Sequence, residues 1–169
     1  MIVTGYSRTG DNEDTIARVL NRLLDDILSQ DNSCSSWLKG PDFTAAQFVQ
    51  AILGNGPSDY TFGYGVLSDP DTAAFVGNKN VGGTPVQGLL IDASITINST
   101  GAFFNLAYTV GPSGYKGDSL QAQAFILLHE LAHEVGAQGF RPDAGSKEIG
   151  KANDKLVDKN CGSEIKGLQ

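Results

Sequence analysis

Apolar residues recur at helical spacing in four stretches of the chain. Between Glu13 and Leu28, the residues Ile16, Val19, Leu20, Leu23, Leu24, Ile27 and Leu28 fall on one stripe. That pattern predicts an amphipathic helix with a polar outer face, capped by Asp11 and with an acidic first turn that suits its dipole. A second helix is expected from Phe43 to Leu53, opened by Asp42 and stopped by Gly54. A third runs from Ser119 to Val135, with Leu120, Ala124, Leu127, Leu131 and Val135 at helical spacing, Asp118 or Ser119 as cap and Gly136 as stop. It is apolar almost all round, so it is expected to be buried. A fourth, capped by Ser146, carries Ile149, Ala152, Leu156 and Val157 on one face and ends near Cys161.

Between Gly54 and Gly117 the character changes to Gly, Thr, Val, Ile and aromatics. Tyr60–Val66, Ala73–Val76 and Gln87–Ile97 read as strands, and Asn98-Ser99-Thr100 as a turn rather than as a glycosylation site. Phe103 and Phe104 are expected to pack beneath the third helix. Helices and strands are segregated along the chain, so the class is α+β: N-terminal helices, a small, mostly antiparallel sheet, the buried helix and a C-terminal helix. One domain over residues 1–169 accommodates all of it, and that length can bury a core without staples.

The buried helix holds both histidines of the chain, His129 and His133, with Glu130 between them. Residues four apart lie on one face, so the imidazoles stand one turn apart and point the same way. Two polar rings in a dry interior must find partners. They are either core histidines hydrogen-bonded to their surroundings or the H-E-x-x-H pair that holds a divalent metal, and motif, burial and apolar lead-in favour the metal.

Here the chain resembles the zincin metallopeptidases, through His129, Glu130 and His133 and the uncharged residues Ile126, Leu127, Leu128, Leu131, Ala132, Val135 and Gly136 around them. Glu134, directly after the second histidine, departs from that pattern. The metzincin subgroup does not fit, because Gly139 stands where its third histidine belongs and the only methionine is Met1. A catalytic zinc wants a third protein ligand, and no third histidine exists. The remaining candidates are Asp143, Glu148, Asp154 and Asp158, with Cys34 and Cys161 behind them. Asp143, in a Gly/Pro loop just past the helix, is expected ahead of Glu148. The gluzincin pattern is broken by Lys147 before Glu148. Small bacterial zincin-like domains related to the aspzincins are similar through His129, Glu130, His133, Gly136, Pro142-Asp143, Asn153, Val157 and Cys161, although the aspzincins' own GTxD motif is absent. The resemblance carries motif support from about Ile91 to Cys161, and only element order before that.

What the resemblance implies is a zinc-dependent peptidase that takes a peptide or protein substrate. One Zn2+ would sit on His129, His133 and Asp143, and Glu130 would serve as general base toward a water activated by the metal. Tyr115, Tyr108 and Arg141 are the nearby candidates for stabilising the oxyanion. It also implies an antiparallel edge strand beside the metal helix that binds the substrate backbone, for which Ile91–Ile97 is the candidate. The alternatives are a non-catalytic zinc-binding domain whose site is closed by a fourth protein ligand, and a toxin domain of a larger secreted protein.

A formal net charge of −7 argues against nucleic acid or an anionic membrane as partner, and no apolar run approaches the roughly 20 residues needed for a membrane span. A monomer is expected. The opening residues are too polar for a signal peptide, so the expectation is a processed mature domain or a piece of a longer chain. Cys34 and Cys161 lack the C-x-x-C spacing of a redox or zinc pair. A disulfide between them is expected, and with it an extracytoplasmic or secreted protein.

Overall fold

The structure is a computed structural model that describes residues 2–5, 10–55, 61–65, 73–78, 93–144 and 146–169. Strand β1 (Ile2–Gly5) comes first. Helix α1 (Gly10–Leu23) follows and is prolonged by a wider π-helical turn over Leu24–Leu28. The predicted stripe is the inner face: Ile16, Val19, Leu20, Leu23, Ile27 and Leu28 are buried, while Leu24 is only partly so. Asp11 lies inside the helix rather than capping it, because the helix begins one residue earlier, at Gly10.

Helix α2 (Ser33–Trp37) falls where the sequence suggests only a loop. It is one turn long, too short to show a hydrophobic period, and is held by a capping box. Asn32 accepts from the Ser35 amide at 2.8 Å, and Ser35 Oγ accepts from the Asn32 amide at 3.3 Å. Helix α3 (Ala45–Gln50) runs into a second π-helical turn over Ala51–Asn55. Its cap is Thr44, not Asp42, again in a capping box, here with Gln47.

The main sheet joins β1, β2 (Thr61–Gly65), β3 (Ala74–Asn78) and β4 (Ala93–Asn98) in the order β1-β2-β4-β3. β1 pairs with β2 and β2 with β4 in parallel, whereas β3 is antiparallel to β4. A short antiparallel hairpin, β5 (Thr109–Val110) and β6 (Tyr115–Lys116), lies apart from it. The class is α+β. The pattern predicts a mostly antiparallel sheet; the two parallel pairings arise because long connections return the chain in the same direction, with α1 to α3 separating β1 from β2. Residues 79–92, and with them the start of the predicted strand from Gln87 and Ile91, lie outside the described residues. Ile95 and Ile97 point into the core as expected, across from Val76 and Ala74.

β4 is not the edge strand. β2 flanks it on one side and β3 on the other, and it is β3 that packs against the buried helix. The alternation of Ile95 and Ile97 is a signature of a half-buried face, which an inner strand satisfies as well as an edge strand.

Asn98 closes β4 fully buried, with its Oδ1 accepting from the Thr100 amide and hydroxyl at 3.1 and 3.0 Å. Its side chain braces the turn at Ser99 and Thr100, one residue later than the sequence suggests. Phe103 is buried under the start of α4 (Leu120–Val135), and its carbonyl accepts from Gln123 Nε2 at 2.9 Å. Ser119 caps α4, and Gly136 ends it at φ 64°, a left-handed conformation that glycine adopts without cost. The other end of the fold reaches α4 through Gly40, where any side chain would collide with the carbonyl of Val135.

Helix α5 (Lys147–Gly167), capped by Ser146, packs along α4 and runs a turn and a half past Cys161. Cys161 and Cys34 form a disulfide that ties α5 to α2. The buried residues from α1 to α5 make one cluster. No described helix is long and apolar enough to cross a membrane.

Candidate metal centre

α4 projects His129 and His133 from one face, their ring centroids 5.2 Å apart. The chain then turns at Gly136, and the loop 137–144 brings Asp143 back over the helix. One carboxylate meets both rings: Oδ2 lies 3.1 Å from Nε2 of His129, and Oδ1 lies 3.2 Å from Nε2 of His133. The donor atoms of these three residues all fall within 4.8 Å of one another. Ligands at zinc-like bond lengths on a tetrahedron are separated by roughly 3.3 Å, so this spacing and this N, N, O donor set fit a divalent ion.

Two features hold the loop. Asn153 on α5, buried, donates from Nδ2 to the Arg141 carbonyl at 2.7 Å and to Asp143 Oδ2 at 3.2 Å, while its Oδ1 accepts from the Arg141 amide at 3.2 Å. Phe140 lies edge-on to both imidazoles, at 5.0 Å from His129 and 4.6 Å from His133. Trp37 of α2 packs against Phe140 at 5.8 Å and donates from Nε1 to the Gln138 carbonyl at 3.1 Å. No motif announces Phe140 or Trp37, because their role depends on how α2 and the loop meet in space.

The other proposed ligands go elsewhere. Glu148 is exposed in the first turn of α5 and does not join the group. Asp154 Oδ1 lies 2.9 Å from His129 Nδ1, the ring nitrogen turned away from Asp143. Asp158 accepts from Ser113 Oγ at 2.7 Å and from the Tyr115 hydroxyl at 3.4 Å, which anchors the β5–β6 hairpin to α5. Cys34 and Cys161 are spent on each other. Of the oxyanion candidates, Tyr115 is committed to Asp158 and packs on Phe125, Tyr108 is half-buried near the hairpin, and Arg141 is exposed with its backbone held by Asn153.

The charges are strongly coupled. Burial opposes a charge on His129, but hydrogen bonds to Asp143 and Asp154, helped by Glu130, push it up to about 10. Burial also acts to raise Asp143; the bonds from His129 and His133 outweigh it and hold the carboxyl well below the usual carboxylate range. Glu130 is 5% exposed, and its burial pushes it up, against the pull of the two histidines. Glu134, one turn on, is buried with Oε1 lacking a hydrogen-bond partner; burial first, then Glu130, push it up to about 8.

No family model, curated protein or solved structure matches the chain.

Proposed function

We propose that the chain is a zinc-dependent peptidase of zincin type with an aspartate as third ligand. The observation that carries this reading is the convergence of His129 Nε2, His133 Nε2 and an Asp143 oxygen on one point. Among the described residues that group ends at three, which leaves a position for water or substrate. A divalent ion held there would acidify a water and polarise a substrate carbonyl.

The chain's own residues then divide the remaining tasks. Glu130 follows His129 on the helix and is kept basic by its burial, which suits it to accept a proton from the attacking water and return it to the leaving amine. Among the described strands β3 is the edge, antiparallel to the rest of the sheet and packed on α4, so its outer side can take an extended peptide by main-chain hydrogen bonds. The disulfide suits an oxidising compartment, and so an extracytoplasmic or secreted peptidase.

A second reading has its own support. The pairing of both imidazoles with Asp143 would also serve a purely structural His–Asp network, which needs no metal. Metal content separates the two. Protein purified without chelator should carry about one zinc per chain and hydrolyse an unstructured protein such as casein. Zinc uptake unaffected by replacing both histidines would remove the peptidase reading.

A further inference from the structure

We propose that Asp154 is a positioning residue for the metal centre: it holds the proton of His129 on Nδ1 and so presents the Nε2 lone pair to a divalent cation. The inference rests on the metal reading above, and concerns how one ligand is made ready for it.

A neutral imidazole carries its single proton on either nitrogen, and only the deprotonated one can bind a metal. For His129 that choice is made by geometry. Asp154 Oδ1 lies 2.9 Å from Nδ1, an accepting oxygen aligned with the nitrogen that faces away from Asp143. Asp154 cannot ligate the same ion, because it meets the ring on the opposite side. It can only orient the ring and, through its charge, make Nε2 a better donor. The two imidazoles are not equivalent in this respect. Among the described residues no hydrogen bond reaches Nδ1 of His133, whose Nε2 meets Asp143 alone.

The placement on α5 adds to the case. Asn153, the preceding residue, holds the loop that carries Asp143. Consecutive residues of one helix therefore fix two of the three ligands from behind. A merely structural contact between α4 and α5 would need no particular ring nitrogen, and any well-packed pair could replace it.

The test uses the full chain loaded with zinc, 15N-labelled for histidine ring NMR, and compares wild type with Asp154→Ala and Asp154→Asn. In wild type, His129 should show a protonated Nδ1 and a zinc-bound Nε2. Asp154→Ala should release zinc to a chelator about 10-fold or more faster and weaken the Nδ1 proton signal of His129, while His133 keeps its spectrum. Asp154→Asn keeps an accepting oxygen and should fall between the two; if Asp154→Ala does not fold, Asp154→Asn against wild type carries the comparison. Release within twofold of wild type in both variants, with the Nδ1 proton in place, would overturn the positioning role and leave the metal reading standing. Wild-type protein that takes up no zinc would overturn both.

Discussion

The side chain of Asn153 pairs in both directions with the backbone of Arg141, accepting from its amide and donating to its carbonyl. It is a buried clamp on a Gly/Pro loop that has no regular structure of its own. The same amide nitrogen reaches Asp143. The third donor is therefore held by a residue ten positions further along, on another element.

Removing that clamp should separate loop order from overall folding. Asn153→Ala leaves the Arg141 amide and carbonyl without their partner, at a cost of about 1–3 kcal/mol. It should also weaken zinc binding by about 10- to 100-fold, as loss of a ligand's supporting bond does elsewhere. Denaturant unfolding and zinc competition measure the two effects. Unchanged zinc affinity in a destabilised variant would mean that Asp143 finds its place without Asn153.

The roles within the motif can be told apart by what each variant keeps. Glu130→Gln retains all three donors, so it should bind zinc normally and lose turnover by about 10²-fold or more. Asp143→Ala should lose both zinc and turnover. His133→Ala should do the same. If Asp143→Ala keeps zinc within a few-fold of wild type, the loop does not supply the ligand.

How far the sequence carried depends on the range of the interactions involved. α4 and α5 were legible because a strong 3.6-residue period and good caps are local signals. The pair His129 and His133 was legible because their spacing within one helix fixes their geometry. Asp143 was reachable because its loop is short and returns over the same helix. Other features depend on distant parts meeting. β1 was not anticipated, since its parallel partner lies more than fifty residues on. The choice of β3 over β4 as the edge beside α4 follows from sheet order, which no strand pattern encodes. Asp154 was legible as a candidate ligand, but only the docking of α5 on α4 shows that it faces Nδ1 of His129 instead of joining the group.

The disulfide joins residues 127 apart in sequence, and the chain-entropy model assigns a loop of that size about 4–5 kcal/mol, often less in practice. It pins α5 to α2, and α2 in turn supports Phe140 through Trp37. Reduction should therefore lower the melting temperature substantially, and zinc should leave with unfolding rather than ahead of it. Melting curves with and without reductant, followed by a zinc-sensitive dye, test the order of events. Two reactive thiols per chain in the denatured, unreduced protein would mean that the bond does not form.

Metal-free stability and metal binding respond to pH with opposite signs. His129 has a folded value of about 10 against about 6.5 when unfolded, and Glu134 about 8 against about 4.5. Both are raised, so between those limits the native state holds protons that the unfolded state has lost. Stability of the metal-free protein should then fall as pH rises, first through the Glu134 window from about 4.5 to 8 and then through the His129 window from about 6.5 to 10. Asp143 is shifted the other way: its stabilisation is present in full above the usual carboxylate range and is lost only as acid protonates it, so it adds no slope across pH 5–9. Zinc must displace the proton from Nε2 of His129, so its affinity should rise with pH by up to about tenfold per unit over the His129 window. The two slopes should be opposite in one protein. Glu134→Leu, which replaces a buried and incompletely bonded carboxyl with an apolar side chain, should reduce the fall of metal-free stability between about pH 4.5 and 8, leaving the His129 slope, and should leave the slope of zinc affinity in place. Melting temperatures of metal-free protein across pH 5–9, paired with zinc titrations at each pH, read both. Metal-free stability that climbs from pH 6 to pH 9 would show that His129 is not held charged between Asp143 and Asp154.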